Sequence, residues 1–388
     1  MFVAAQAATR PADDLGCLGL NEIVPIASNG FSETRTEVDI IGRMIIGDKR
    51  AMAQSMNTTG NTKNANTISV NAAALQERDE FRADGWVKVI SPAKVNLHLA
   101  IGGKRADGYH EAATVMQALN LHDIVYVRRA LEQPAECRMV ALGDLDLPDI
   151  PAEDNLAMKA VARLAQALAL PAEAAEIDIR IEKNIPAQAG LGGGSSNAAA
   201  ALLGAAALWG IDANDPALEA TARTLGADVA FFLHGGCAYL EGTGDTFVHA
   251  LASSKRSVAL VKPDGGVSTA QAYRQFDAQP TFASADRAAH VRTAQAADDI
   301  ELFNNLAPAS ESLMPQLAEI RSWLLNFPQV NGALLSGSGA ATFAVCSSFD
   351  AACAVVAAAR ERGWWARSTS FGSIRAAVVS NHASGGAT

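Results

Sequence analysis

The sequence has few cysteines, and none of them lie close together. The five are Cys17, Cys137, Cys237, Cys346 and Cys353, an odd number at wide spacing with no CxxC pair. Such a set argues against a disulfide framework and against a zinc site. The cysteine pattern therefore favours a protein of a reducing compartment.

Long apolar runs and a secretory leader are also lacking. No apolar stretch reaches the roughly 18–20 residues that a transmembrane helix needs. The opening residues, MFVAAQAATR, lack the basic start and the apolar core of a signal peptide. We therefore expect a cytoplasmic protein that does not bind membranes.

Positive charge is in the minority, since 31 Lys and Arg stand against 41 Asp and Glu, a net charge of −10. A general nucleic-acid binder would carry a basic patch or stripe, so the acidic balance argues against that class. It leaves room for a small anionic ligand, because one local site can be positive on an acidic protein. The 388 residues suffice for a two-lobed protein or two domains with a sizeable core. The oligomeric state stays open.

Residues 1–85 lack sustained periodicity. They are rich in Ala, Asn, Thr and Ser, as in "MAQSMNTTGNTKNANTISVNAAA". Such a segment buries too little apolar surface to offset the entropy lost on ordering, which predicts a mostly disordered extension. A folded domain and a misassigned translation start are the alternatives.

From Trp86 onward the pattern predicts a mixture of strands and helices. Strand spacing in "WVKVISPAKVNLHLAIG" is broken by Pro92, and residues 154–170 have apolar residues at helical spacing with an Asp or Asn to cap them. Residues 175–186 alternate apolar and charged side chains as a strand does, and "ESLMPQLAEIRSWLLN" is predicted helical. "GALLSGSGAATFAVC" (332–346) is predicted to form a strand, a glycine turn and a second strand. Hairpin-like strand pairs mixed with helices favour an α+β fold.

A glycine-rich turn, "PAQAGLGGGSSNAAAAL" (186–202), lies between the strand at 175–186 and a helix predicted to begin near Ser195 or Ser196. The first amides of a helix have no partner within it, and the helix dipole favours negative charge there. Glycines let the backbone approach a ligand, so the turn predicts a phosphate site. The candidate residues are Pro186, Ala187, Gly190, Leu191, Gly192, Gly193, Gly194, Ser195, Ser196 and Asn197.

Two familiar phosphate motifs do not fit this turn. No lysine follows the last glycine as GxxxxGK[ST] requires. GxGxxG would need an acidic residue for a ribose about 20 residues further on, and Asp212 lies past a helix with no strand after it, so it does not suit that role. A plain tight turn with a helix cap is the structural alternative. One or two glycines would suffice for that, whereas this turn has four in five residues beside two serines and an asparagine.

The turn resembles the phosphate-loop motif of the GHMP kinase superfamily, the galactose, homoserine, mevalonate and phosphomevalonate kinases. "SPAKVNLHLAIGGKRADGYHEAATVMQAL" (91–119) resembles the N-terminal signature of one branch, and "GALLSGSGAATFAVC" (332–346) resembles the family's C-terminal glycine turn. The resemblance covers roughly residues 86–380. It implies two α+β lobes, here 86–250 and 251–388, with the active site in the cleft between them.

The resemblance also implies an activity. Members of that branch use ATP, with Mg²⁺, to phosphorylate the 2-hydroxyl of a cytidine diphosphate-linked polyol, 4-diphosphocytidyl-2-C-methyl-D-erythritol, in the non-mevalonate route to isoprenoid precursors. The metal ligands stay open. Alternatives are a GHMP kinase for homoserine or mevalonate, a nucleotide-binding regulator without turnover, and a decarboxylating family member. "RADGYH" speaks against a small aliphatic alcohol, which has no base to stack.

By resemblance, Lys94 and Asp228 form the catalytic pair. A carboxylate can accept or orient the proton of the substrate hydroxyl, and a lysine can keep that carboxylate ionised and stabilise the oxygen as it gains charge. Because phosphoryl transfer passes through a loose transition state, an ordinary carboxylate suffices. The structural alternatives are a solvated lysine after a strand and an aspartate that caps the next element.

Five residues are candidates for substrate binding. Asn96 lies two residues after Lys94 on the same strand face. Tyr109 offers a flat face and His110 a hydrogen-bonding edge, and the resemblance assigns both to the cytosine. Thr269 and Tyr273 align with a substrate-contacting threonine and a second aromatic face, although a packed core tyrosine is a serious alternative. A metal role for His110 is disfavoured, because no second His or Cys lies near it at ligand spacing.

Overall fold

The computed structural model of the protein describes residues 85–131, 134–143 and 145–379. These residues belong to one compact unit of the chain. The predicted N-terminal extension, apart from Gly85, lies outside the described residues.

A large mixed sheet is built on a long antiparallel hairpin. Its strands are β1 (Val87–Lys104), β2 (His110–Arg129), β3 (Cys137–Ala141), β4 (Ile177–Lys183), β5 (Cys237–Glu241), β6 (Thr246–Leu251), β8 (Phe303–Asn304) and β12 (Ala377–Val378). β2 is long enough to pair with β4 at one end and with β5 at the other. The predicted lobe boundary at 250/251 falls at the end of β6, and the two-lobe division stays a prediction.

The sequence predicted that Pro92 breaks the first strand, but the strand continues through it. The pairing of β1 with β2 shifts register between Pro92 and Lys94. A proline donates no ladder hydrogen bond, so strands accommodate it at such irregularities. The shift lies directly before the lysine predicted to be catalytic.

A second, smaller sheet is entirely antiparallel, in the order β11-β7-β10-β9. Its strands are β7 (Ser257–Lys262), β9 (Val330–Leu335), β10 (Thr342–Cys346) and β11 (Trp365–Ser370). β9 and β10 are the two strands predicted around the C-terminal glycine turn, and β11 was not anticipated.

Helices cover both sheets. They are α1 (Leu156–Ala167), α2 (Gly193–Trp209), α3 (Pro216–Leu225), α4 (Ala227–His234), α5 (Thr269–Ala278), α6 (Ala285–Thr293), α7 (Ala307–Leu313), α8 (Gln316–Leu325) and α9 (Phe349–Glu361). Asn155 caps α1, since its side chain accepts a hydrogen bond from the Ala157 amide at 3.0 Å. The single helix predicted over "ESLMPQLAEIRSWLLN" is two, because Pro315 lacks the amide that would continue α7 into α8.

α2 packs against the large sheet and is apolar on every side, as a buried helix is. Its residues 196–206 are all buried in the core between β1, β2 and α1. At Gly204 a Cβ would lie 2.0 Å from Val127 Cγ2, so only glycine allows the helix to approach β2 this closely. Within the described ranges, no helix combines the length and apolarity needed to cross a bilayer.

His98, in the middle of β1, is a buried histidine whose surroundings disfavour its protonated form. Its ring stacks on Phe303 at 5.2 Å, and its Nδ1 has no hydrogen-bond partner among the described residues. Burial, with a contribution from nearby Arg287, lowers the pKa of His98 to about 4. The folded protein therefore keeps this ring neutral where an unfolded chain would protonate it.

This depressed pKa predicts a loss of stability in mild acid. Between pH 6.5 and pH 4 this histidine is protonated in the unfolded chain but not in the folded protein. The free energy of unfolding should therefore decrease as the pH is lowered through this range, by about 3 kcal/mol in total. Urea unfolding of wild type and His98→Leu at several pH values measures this, and the variant should lack that part of the slope. His290→Leu, at an exposed histidine on α6, is the matched control. Parallel pH curves for wild type and His98→Leu would show that His98 contributes nothing.

Candidate active site

A cavity of about 710 Å³ lies where the two sheets and their loops meet, a size typical of ligand sites. β1 and β2 contribute Lys94, Asn96 and Thr114, and the start of α4 contributes Asp228. The predicted phosphate loop and α5 also reach the cavity. The residues they contribute are Gly190, Gly192, Ser195, Thr269 and Tyr273.

Lys94 and Asp228, predicted as a pair from residues 134 positions apart, lie together in this cavity. Lys94 Nζ is 3.2 Å from Asp228 Oδ2; the lysine side chain is 4% exposed and the aspartate side chain 28%. Asp228 occupies the first turn of α4, where the helix dipole favours a negative charge. Both charged groups thus line the cavity, with the ammonium the more deeply buried of the two.

A chain of hydrogen bonds orients the lysine. Lys94 Nζ donates to Asn96 Oδ1 at 2.8 Å, Asn96 Nδ2 donates to Thr114 Oγ1 at 2.8 Å, and Thr114 Oγ1 donates to the His98 carbonyl at 2.7 Å. Asn96 is therefore beside Lys94, as the strand spacing predicted. Because its amide oxygen accepts from the lysine, Asn96 fixes the ammonium as well as lining the cavity.

The glycine-rich turn leads into α2, which begins at Gly193, two residues earlier than predicted. Gly192 caps the helix in the left-handed conformation at φ 72°. The amides of Gly193, Gly194 and Ser195 precede the first intrahelical bond, from the Ser196 amide to the Gly192 carbonyl at 2.8 Å. The end of α2 therefore presents amides to a cavity that Ser195 lines.

Two glycine turns pack backbone against backbone beside the cavity. At Gly190, φ is 72° and a Cβ would lie 2.0 Å from the Ser336 carbonyl oxygen. The Ser336 hydroxyl donates to the Gly190 carbonyl at 2.9 Å, and the Ala341 amide donates to the Ala189 carbonyl at 3.0 Å. Ala189 is not among the residues with positive φ, so alanine fits there. The C-terminal turn thus supports the shape of the phosphate loop.

The side chains of Ser196 and Asn197 point away from the cavity, into a buried polar network. Asn197 donates from Nδ2 to Ser91 Oγ and to Asp123 Oδ2, both at 2.9 Å, and its Oδ1 accepts from Lys183 Nζ at 2.9 Å. The Ser91 hydroxyl donates to Ser196 Oγ at 2.8 Å. The side chains of Ser196 and Asn197 therefore bind protein groups rather than face the cavity. That these two residues contribute to phosphate binding, through the helix start to which they belong, stays a prediction.

Asp123 is the centre of this network. It is fully buried, pairs with Lys183 Nζ, and accepts from the amides of Asn184 and Ile185 at 2.6 and 2.8 Å. Together with its bond from Asn197, one carboxylate holds both the entry and the exit of the phosphate loop.

The predicted base-binding residues are placed unequally. The Tyr109 side chain is 67% exposed and does not line the cavity, whereas His110 is buried with its ring centroid 5.1 Å from that of Tyr273. Tyr273 lines the cavity, and burial together with the charge of Asp228 raises its pKa to about 12. The phenol is therefore neutral. His110 is not itself among the cavity-lining residues, and its ring reaches the cavity wall only through its contact with Tyr273.

The remaining predicted residues border these elements. Thr269 begins α5, and its hydroxyl lies 2.9 Å from Ser338 Oγ in the C-terminal glycine turn. The Leu191 carbonyl accepts from the Lys94 amide at 3.0 Å, which joins the loop to β1. Five further predicted residues belong to the loop or to the start of α2 but are not among the cavity-lining residues: Pro186, Ala187, Leu191, Gly193 and Gly194.

Sequence reasoning missed several residues that the structure places at the site. Thr114 lies within the 91–119 signature and Asp123 just after it, but only the pairing of β1 with β2 brings them to the site. Asp277 was also missed, although it lies four residues after Tyr273 on α5, a spacing that puts both on one helix face.

Two family models match the chain. The model for the N-terminal domain of GHMP kinases matches residues 155–236, and the model for their C-terminal region matches residues 288–363. A relative from Desulfitobacterium hafniense, named 4-diphosphocytidyl-2-C-methyl-D-erythritol kinase, is 39% identical over 283 residues, which cover 72% of this chain and 93% of the relative. This chain belongs to the GHMP kinase family. As a member it is a small-molecule kinase, and kinase membership implies ATP as the donor.

Other relatives of this GHMP kinase agree. One from Pelotomaculum thermopropionicum with the same name is 37% identical, covering 70% of this chain and 93% of the relative. A crystal structure of 4-(cytidine 5'-diphospho)-2C-methyl-D-erythritol kinase is 32% identical with a TM-score of 0.60, covering 74% of this chain and 99% of that one. Homoserine kinase from Cytophaga hutchinsonii, at 20% identity and a TM-score of 0.55, shares the fold. The predicted α+β GHMP kinase fold, family and branch are confirmed.

Proposed function

We propose that this GHMP kinase transfers the γ-phosphoryl group of ATP to the 2-hydroxyl of 4-diphosphocytidyl-2-C-methyl-D-erythritol, in the non-mevalonate route to isoprenoid precursors. The single observation that carries the chemistry is the Lys94–Asp228 pair in the cavity, next to the amide-bearing start of α2. The relatives of 37–39% identity are named for this substrate. A cytoplasmic location suits an enzyme of this class and stays a prediction.

Asp228 is proposed to accept a hydrogen bond from the substrate hydroxyl and to take its proton as the O–P bond forms. The bond between the γ-phosphorus and the bridging oxygen breaks at the same time, and ADP leaves. Lys94, held by Asn96, stabilises the negative charge that develops on the attacking oxygen. Both reactants are held in line, which supplies much of the rate in phosphoryl transfer.

The start of α2 is proposed to bind the triphosphate through its amides and the helix dipole. Among the described residues, no group of three or more His, Cys, Asp or Glu side chains could hold a metal ion. That fits a kinase Mg²⁺, which is bound by one or two carboxylates together with the phosphates, and Asp228 is the carboxylate of the cavity lining that could contribute. The ion would neutralise charge on the phosphate oxygens.

A panel of acceptors tests the substrate assignment. ADP release by the full chain with ATP and Mg²⁺ is measured with the cytidine diphosphate-linked substrate, homoserine and mevalonate. We expect turnover with the cytidine compound alone. Turnover with homoserine or mevalonate would instead assign another alcohol, and absence of turnover with all three would favour a nucleotide-binding regulator.

Gly194→Ala tests the phosphate site itself. A Cβ at Gly194 would meet no protein atom within 4 Å, so alanine fits there without a clash, and its methyl group would lie beside the amides proposed to bind the triphosphate. We expect an unchanged or slightly raised melting temperature, because alanine favours helix, and a KM for ATP raised about tenfold or more.

Gly103→Ala, on β1, is the matched control, since a Cβ there also meets nothing within 4 Å. It should alter neither the melting temperature nor the KM for ATP. An unchanged KM for ATP in Gly194→Ala would place the triphosphate away from the start of α2.

A further inference from the structure

The hydrogen bond between His110 and Asp277 joins the base-binding region to α5. His110 begins β2, and its buried ring places Nε2 2.6 Å from Asp277 Oδ1. The other oxygen of Asp277 lies 3.6 Å from Lys104 Nζ. Asp277 is in the last turn of α5, the helix that also carries Thr269 and Tyr273.

This contact determines which ring nitrogen of His110 carries the proton. The hydrogen bond from His110 is the main cause that lowers the pKa of Asp277, so the carboxylate is ionised near neutral pH. An ionised carboxylate only accepts hydrogen bonds, and Nε2 must therefore be the donor. In a neutral imidazole the other nitrogen, Nδ1, then holds a lone pair and accepts.

Nδ1 of His110 is available to a ligand. No described residue forms a hydrogen bond with it, and it is not among the polar atoms that are both buried and unpartnered. The ring stands beside Tyr273, which lines the cavity. The ring that carries this acceptor nitrogen thus lies directly behind a tyrosine of the cavity wall.

We propose that Asp277 is a positioning residue for base specificity: it holds His110 in the tautomer whose Nδ1 accepts a hydrogen bond from an exocyclic amino group. Cytosine carries such a group at C4, whereas uracil carries a carbonyl oxygen there, which would face a second acceptor without a proton between them. The inference rests on the proposed function and on the prediction that His110 binds the base of its substrate. It adds Asp277 as the residue that, by orienting His110, makes the site discriminate against uracil.

The test compares cytidine and uridine diphosphate-linked forms of the same polyol at pH 8, with wild type and Asp277→Asn. Wild type should prefer the cytidine form by at least about 100-fold in kcat/KM. Asparagine can donate from its amide to Nε2, which frees His110 to carry its proton on Nδ1. We expect the KM for the cytidine form to rise about tenfold with kcat within about twofold, and the preference over the uridine form to fall about tenfold.

Asp286→Asn, at an exposed aspartate in the first turn of α6, is the matched control and should keep the preference. A merely structural role for Asp277 would lower kcat/KM for both compounds equally, or lower the folded fraction, with the preference unchanged. Either result would overturn the proposal.

A second readout does not depend on the substrate. The ¹⁵N shifts of histidine-labelled protein report the tautomer of each ring, with His110 assigned by the signal lost in His110→Gln. We expect Nε2 protonated and Nδ1 bare in wild type, and a mixed or reversed tautomer in Asp277→Asn. A neutral His110 protonated on Nδ1 in wild type would overturn the inference. The expected tautomer in a protein that phosphorylates neither compound would support the hydrogen bond and refute the proposed function.

Discussion

Asp228→Asn is expected to lower kcat by about 10²–10⁴-fold while leaving the KM for ATP within about threefold. Asparagine has nearly the same shape but cannot take the hydroxyl proton, and proton transfer by a positioned group contributes about that factor. The neutral amide also no longer offsets the charge of Lys94, which lies 3.2 Å away and is buried. ADP release with the cytidine substrate measures kcat, and a thermal melt of the same samples confirms that the variant is folded.

Asp350→Asn is the matched control for this prediction. Asp350 is the second residue of α9, as Asp228 is of α4, but it is exposed and far from the cavity lining. Because it removes one negative charge from a helix N-terminus, Asp350→Asn should lower the free energy of unfolding by less than about 1 kcal/mol and should leave kcat unchanged. A near-wild-type rate in Asp228→Asn would remove this carboxylate from the mechanism.

Asp123→Ala is expected to lower the free energy of unfolding by about 3–5 kcal/mol. The substitution leaves Lys183 buried without its counter-charge and leaves the Asn197 amide and two backbone amides without their acceptor. Removal of one partner from a buried ion pair costs about this much, because the remaining charge stays desolvated. Urea unfolding measures the loss.

The exposed pair of Asp154 and Lys159 supplies the control. Its Nζ–Oδ1 distance of 3.0 Å is that of a good ion pair, but its side chains are 65% and 42% exposed. Asp154→Ala should therefore cost less than about 1 kcal/mol. A similar small loss in Asp123→Ala would show that the buried network does not hold the loop.

The double variant Asp123→Asn/Lys183→Met separates stability from function. It removes both charges, so it should unfold less readily than Asp123→Ala. The KM for ATP should nevertheless be raised above the wild-type value in both variants, since the two ends of the phosphate loop would no longer share one carboxylate. Recovery of both quantities would assign Asp123 a purely structural role.

Local patterns in the sequence predicted many of the elements well. The glycine turn, the start of α1 at its Asn155 cap and the strand pair around the C-terminal turn all depend on residues near one another in the chain. The helix start at Gly193 and the passage of β1 through Pro92 were predicted wrongly. The helix begins at Gly193 because Gly192 before it takes the left-handed conformation of the cap, at φ 72°. The passage of β1 through Pro92 depends on where β2 pairs.

By itself the sequence determined the family, the α+β class and the candidate residues, because backbone conformations and phosphate-binding turns are encoded in short stretches. Only the tertiary structure decided how those residues are used. It set Lys94 against Asp228, directed Asn197 inward to Asp123, left Tyr109 exposed and gave His110 a carboxylate partner. These outcomes depend on contacts between positions many residues apart, and the direction and burial of a side chain are fixed only when the sheets and helices have packed.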